Sequence, residues 1–296
     1  MNILDNIKQT FKQGNSLTRL IYINLGVFVV LKLVLISLLL FNISGSFILS
    51  YLAAPAAISQ LAQRFWTPIS YMFLHEGFLH LLFNMLNLFW FGKLFLLFFS
   101  EKQLVGLYIV GGLLAATFYV VAFNLFPFYA PMLHQSLLLG ASGSIMAIIV
   151  AAAVQSPHME LQLLFLGRIK LMYIAIAIVL MSYFGITSDN GGGQLAHLGG
   201  ALAGYIFVVS LRQGKDITKW LNWLFDLVYD LFRPRKLKVK PNMSRGKTPM
   251  SDAEYNMNKA QKMAQIDHIL DKIKTSGYDS LTADEKKRLF EQGNKK

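Results

Sequence analysis

The sequence predicts an all-α membrane protein, with six transmembrane helices, a cytoplasmic amphipathic helix and a small helical hairpin. Three observations carry this. Of 296 residues, 54% are hydrophobic and only 15% charged, and mean hydropathy is +0.46, which soluble domains of this size rarely reach. Several apolar runs approach or exceed the ~18 residues of a membrane span, with short connections between them. The basic residues also segregate. Lys8, Lys12, Arg19, Lys93, Lys102, Arg168, Lys170 and the tail fall on one side of the six spans, against Arg64 on the other. By the positive-inside rule both termini are expected in the cytoplasm.

The elements follow in order. Residues 1–18 place Ile3, Leu4, Ile7 and Phe11 at helical spacing among polar residues, as in an amphipathic helix lying on the membrane surface. The first span is expected over about 20–40. It contains Lys32, which is expected to snorkel or to face a polar pocket. Residues 43–70 read as a long loop. The second and third spans are expected near 78–99 and 104–126, and Pro127 and Pro131 mark an extramembrane connection. The fourth runs from about 139 to 155 and the fifth from about 171 to 186. Residues 189–193, Asp-Asn-Gly-Gly-Gly, read as a mobile loop. The sixth covers about 195–211. These spans make one domain over 19–212.

The tail differs in character. Over 216–232, Trp220, Leu221, Leu224, Leu227, Val228 and Leu231 repeat at helical spacing, as in an interfacial helix with Trp anchors. Residues 233–247 carry seven basic side chains and no acid. From Arg212 onward there are 19 Lys/Arg and 11 Asp/Glu, so two-thirds of the net charge of +12 lies here. A basic run directly after a membrane segment points to anionic lipid rather than nucleic acid, and 213–250 is expected to be an interfacial helix and lipid-facing linker. Over 251–296 a helix with Ile266, Ile269, Leu270 and Ile273 on one face is stopped by Gly277. Thr282 and Glu285 then have capping-box spacing. This cytoplasmic hairpin is small for independent stability and is expected to dock on something. The chain has no cysteine, so thiolate metal sites are excluded, and no cofactor is implied. The first apolar run comes late and is too long for a cleavable signal peptide.

Against this apolar background a few polar residues stand out. Polar groups at membrane depth are costly and tend to be functional. Ser142 lies in Gly140-Ala141-Ser142-Gly143-Ser144, and His197 in Ala196-His197-Leu198-Gly199-Gly200. Both fall at the outer end of descending spans, at a shared depth. A serine hydroxyl is a weak nucleophile that needs an adjacent base, and a histidine titrates near working pH. Gly140 and Gly143 allow a tight turn and close approach of a substrate backbone. Gly200 and Gly204 form a G-x-x-x-G face that permits close helix contact. Taken alone, each motif reads first as a helix-packing device; the pairing favours chemistry. In the second span His80 and Asn84 share a helical face, with Asn87 three residues on. As hydrogen-bond donors beside Ser142 they could supplement an oxyanion hole. His75, Glu76 and His80 are also metal-ligand types. Their spacing is not H-E-x-x-H and His75 and His80 do not share a stripe, so no metal site is expected.

Together these residues resemble the rhomboid family of intramembrane serine proteases. The resemblance rests on H-x-x-x-x-H-x-x-F-N (His75, His80, Phe83, Asn84), on Gly140–Gly143, and on His197 with Gly200, and covers about 19–212. It implies a six-helix rhomboid bundle and a Ser142–His197 dyad without a carboxylate. His80, Asn84 and the Ser142 N–H would form the oxyanion hole, and His75 would hold the first loop. It implies transmembrane protein substrates, cut near one end of the helix, and residues 191–193 as a mobile cap. Two departures occur. Trp66 is followed by Thr67 where family members often carry arginine, and Met146 stands where many place an aromatic against the catalytic histidine. The tail resembles a short extension on rhomboids of Bacteroidetes bacteria, which would place the protein in a bacterial inner membrane. A pseudoprotease of the same fold would be expected to lack Ser142 or His197. A transporter would be expected to show inward-facing acids or an internal repeat. Substrate identity and oligomeric state are not legible in the sequence.

Overall fold

The computed structural model describes residues 9, 11, 13–163, 167–221 and 252–293, which fall into two compact units, Met1–Arg233 and Pro234–Lys296. The surface helix expected over 1–18, the interfacial helix beyond Leu221 and the polybasic run at 233–247 lie mostly or wholly outside these residues.

Among the described residues four helices are long and apolar enough to cross a membrane: α1 (Ser16–Leu40), α5 (Phe78–Leu96), α6 (Glu101–Leu125) and α9 (Gly191–Arg212). Two further apolar helices, α7 (Ser142–Gln155) and α8 (Leu171–Phe184), have 14 residues each. Local chemistry sets the starts. The Asn15 side chain accepts the Thr18 N–H at 3.0 Å to open α1, and Ser100 with Gln103 forms a reciprocal capping box on α6. α1 lies outermost, with Val30, Leu33, Leu39 and Leu40 exposed as expected of a lipid-facing helix. Its Asn24 is fully buried and bonds the Tyr108 hydroxyl of α6 at 3.2 Å.

α7 is the centre of the unit. Every residue from Gly143 to Ala153 is buried, with α5, α6, α8 and α9 around it. Small residues make this possible. A Cβ on Gly111 of α6 would lie 2.5 Å from the Ala147 methyl, while Cβ atoms on Gly200 and Gly204 of α9 would fall on the carbonyl oxygens of Gly143 and Ala147. Backbones therefore meet directly, and dispersion at short range replaces the hydrophobic drive that is missing between helices in lipid.

Three segments differ from the sequence expectation. Residues 43–70 are not a plain loop but contain α2 (Ser46–Leu52), α3 (Ile58–Gln63) and α4 (Thr67–Ser70), with β1 (Ala54–Pro55) paired antiparallel to β2 (Leu137–Leu138). The short helices escape a periodicity search because none spans three turns. Residues 160–170 form a hairpin of β3 (Glu160–Leu163) and β4 (Gly167–Lys170). Gly191–Gly193 are not a loop. They form the first turn of α9, with Asn190 as N-cap. A Cβ on Gly191 would strike the Ile186 carbonyl and one on Gly192 would lie 2.8 Å from the Tyr119 ring, so these glycines permit close packing.

The C-terminal unit is a helical hairpin. α10 (Asp252–Ser276) ends at Gly277, whose φ of 77° is the left-handed stop that glycine tolerates. α11 (Ala283–Gly293) opens with Thr282 and Glu285 bonding reciprocally, and Lys272 reaches Glu285 at 3.0 Å. Ile269 and Leu281 are buried between them, whereas Leu270 is about half exposed.

Candidate active site

Ser142 is the first residue of α7. A helix leaves its first backbone N–H groups without intrahelical acceptors, and its dipole is positive there. The turn before it is held from several directions. Gly140 N–H donates to the Tyr71 carbonyl at 2.9 Å, and the Tyr71 hydroxyl donates to the Gly112 carbonyl of α6 at 2.6 Å. Strand β2 is pinned to the first loop by its ladder with β1 and by Ala56 N–H on the Ser136 carbonyl. Gly140 has φ +119°, a conformation open to glycine but strained for other residues.

The same turn brings two chemistry-bearing groups together. A Cβ built on Gly140 would lie 3.0 Å from Cε1 and Nε2 of His80 and 3.9 Å from Oγ of Ser142. The His80 ring thus covers the mouth of the helix N-terminus at which Ser142 sits. His75 packs edge-on against His80 with ring centroids 5.2 Å apart and is itself buried. Asn84, one turn below His80, is buried and donates through Nδ2 to the His80 carbonyl at 3.0 Å. One of its two N–H groups is occupied in this way. Asn87 makes the same back-bond to Phe83 at 2.8 Å.

His197 comes from α9. The crossing that seats Gly200 on the Gly143 carbonyl also sets the Ala196 carbonyl 3.5 Å from the Cβ position of Gly143. Ser142 and His197 are therefore sequence neighbours of two residues in direct contact. His197 also lies within electrostatic reach of His80. Its Nδ1 meets the hydroxyl of Ser182 on α8 at 3.2 Å. Ser182 is buried and the sequence reading missed it, as it missed Tyr71. A polar residue in an otherwise apolar helix was the available signal for Ser182.

The two departures have visible consequences. Arg64 donates to the Ser50 carbonyl at 2.5 Å and lies over the Tyr51 ring, while Trp66 Nε1 donates to the Tyr51 carbonyl and the Thr67 hydroxyl to the Arg64 carbonyl. The first loop is anchored through Arg64. Met146 is buried, with its Cβ 3.2 Å from the Cβ position of Gly200. Lys32 donates to the Glu76 carbonyl at 2.8 Å, tying α1 to the start of the helix that bears His80. Above His80 is a cavity of about 540 Å³ whose walls include Glu76, Tyr119, Tyr129, Ser136, Ser188 and Asp189. Neither Ser142 nor His197 is among its lining residues. Among the described residues no group of three or more His, Asp or Glu gathers as metal ligands would.

Comparison with known proteins identifies the family. The family model of the rhomboid domain matches residues 62–214, just over half of the chain. A second model, a family of unknown function (DUF6576), matches residues 251–295. RHOMBOID-like protein 12, mitochondrial, of Arabidopsis thaliana is 28% identical over 161 residues, 51% of this chain. The chain spans about half the length of that relative, 48%. With this domain match over its apolar helices and the conjunction of Gly140–Gly143, His80 and His197 beneath it, the chain is an integral membrane protein belonging to the rhomboid family.

Proposed function

We propose that this protein is an intramembrane serine endopeptidase that cleaves transmembrane helices of membrane protein substrates with Ser142 and His197. One observation carries the proposal: Ser142 opens a helix of 14 residues that is buried from Gly143 to Ala153, and the helix bearing His197 is packed backbone to backbone on its first turn. At ~1.5 Å per residue α7 is about 21 Å long, short of the ~30 Å of a hydrocarbon core. Surrounded by other helices, it need not cross the whole bilayer. Its irregular entry at 138–141 is tolerated because it is largely enclosed by protein. A nucleophile there is below the membrane surface yet can be reached by water.

The chemistry follows from the groups. His197 takes the Ser142 hydroxyl proton as Oγ bonds to the substrate carbonyl carbon. The carbonyl oxygen gains the negative charge and is met by the Ser142 N–H, His80 and Asn84, with Asn84 offering its remaining N–H. The C–N bond breaks, and His197 returns the proton to the leaving amine. Water, deprotonated by His197, then attacks the acyl carbon, and His197 returns that proton to Oγ as the acyl group leaves Ser142. Each oxyanion donor is worth about 3 kcal/mol of barrier. His75 supports His80 from the loop side, and Gly140, Gly143 and Gly200 hold the approach distances. The proposed arrangement has six crossings with both termini in the cytoplasm of a bacterial inner membrane. It is supported by the basic residues at the ends of α5, α6, β4 and α9. Anionic lipid is the proposed partner of the polybasic run.

The test is cleavage of a single-span model substrate by purified protein in liposomes, wild type beside Ser142→Ala and His197→Ala. Cutting by wild type alone is expected. Cutting by all three rejects Ser142 as nucleophile. If none cuts and Ser142 takes no fluorophosphonate label, the protein is a binding member of the fold.

A further inference from the structure

The base in the proposed mechanism has a problem of orientation. An imidazole can carry its proton on either ring nitrogen, and only one tautomer leaves an unprotonated nitrogen toward Ser142. In a hydrolase with a third acidic member, that residue settles the matter. Among the described residues no carboxylate bonds to His197 and no aromatic ring packs against it. Met146 of α7 is buried against Gly200, three residues on from His197. The polar atom that does meet the ring is the hydroxyl of Ser182, 3.2 Å from Nδ1.

We propose that Ser182 is the positioning residue of the base: its Oγ accepts the Nδ1–H of His197, holding the neutral ring as the Nδ1–H tautomer with Nε2 free for the Ser142 proton. This rests on the reading of His197 as base. The placement is specific. Ser182 is 2% exposed, in the last turn of α8, a helix whose remaining residues are apolar apart from its two tyrosines. A hydroxyl buried among them is costly unless it is hydrogen-bonded, and His197 is its partner across the helix interface. The contact also changes strength at the useful moment. When Nε2 takes the proton, the ring becomes cationic and Nδ1–H···Oγ becomes charge-assisted, roughly doubling in strength. Part of the transition-state stabilisation a carboxylate would supply therefore comes from a neutral oxygen that stays put. No proton passes to Ser182; only the proton from Ser142 moves, to Nε2 and on to the leaving amine.

The test uses the full-length protein in liposomes with a single-span substrate and, separately, a fluorophosphonate that reads the nucleophilicity of Ser142 without a substrate helix. Ser182→Ala is expected to lower kcat about 10- to 100-fold, as for loss of a hydrogen bond to a charged group, with KM unchanged. The fluorophosphonate rate should fall by a similar factor. Ser182→Thr, which keeps the hydroxyl, should restore most of both. A role in packing alone would lower thermal stability and leave the labelling rate per folded molecule at the wild-type value; that result overturns the proposal. Should Ser182→Ala not fold, nitrogen-15 histidine spectra of the wild type decide: Nδ1–H on His197 is expected, and Nε2–H overturns it. A wild type that neither cuts nor labels would overturn the Ser142–His197 reading and this inference with it. An active wild type with an unimpaired Ser182→Ala would overturn only the inference.

Discussion

Gly140 decides more than its size suggests. Its φ of +119° turns the chain so that the His80 ring lies against it and the Ser142 hydroxyl follows just beyond. A methyl group there meets both a strained backbone, at about 1–3 kcal/mol, and the imidazole at 3.0 Å. Gly140→Ala should therefore lower cleavage at least tenfold, read as initial rate in liposomes, with a smaller fall in melting temperature. Asn84 offers a cleaner probe of charge stabilisation. Since its back-bond to the His80 carbonyl uses only one N–H, Asn84→Ala should lower kcat about 10²- to 10³-fold with KM little changed, as for loss of an oxyanion donor. An unaltered kcat would remove Asn84 from the oxyanion hole.

Between elements, the decisive contact is α9 on α7. Gly200 and Gly204 put one backbone directly on the carbonyls of the other, and no side chain can be added without separating the helices. Gly200→Ala should move α9 off Ser142, abolish cleavage and lower the melting temperature. Gly26→Ala is the matched control, because a Cβ at Gly26 meets nothing within 4 Å. The C-terminal hairpin rests on a different device. The Thr282 N–H, then Lys272, then the Thr282 hydroxyl hold the Glu285 carboxyl down to about 2. The depressed pKa means that this stabilisation is present above the ordinary carboxyl range and is lost only as pH falls toward about 2. Thr282→Ala should cost about 1 kcal/mol, seen as faster amide exchange over Ala283–Gly293 with exchange in α7 unchanged.

For the molecule as a whole, His75 is expected to link the fold to pH. Burial first, and the neighbouring His80 second, hold His75 down to about 4. Its folded value lies below the ordinary histidine value of 6.5, so the unfolded chain takes up the proton first. The His75 share of stability is full above about 6.5 and is lost as pH falls from there to about 4. Melting temperature should therefore drop across that window in wild type and drop less in His75→Gln. Equal slopes would mean that His75 does not report the loop.

Much of this was legible before any coordinates. An apolar run needs a bilayer, so helix positions followed from hydropathy: α5 begins at Phe78 and α8 at Leu171, as read. Rare polar residues on that background named Ser142, His197, His80 and Asn84, and Thr282 with Glu285 announced the hairpin cap. What the sequence by itself determined is thus the class of molecule and its polar inventory, because the cost of polarity in lipid leaves few residues to choose from. Which of those residues meet was decided only by tertiary structure. A helix apolar on every side has no preferred face that periodicity can reveal, so Ser182 against His197, Tyr71 holding both Gly140 and Gly112, and the helical seat of Gly191–Gly193 depend on where glycine let two backbones touch.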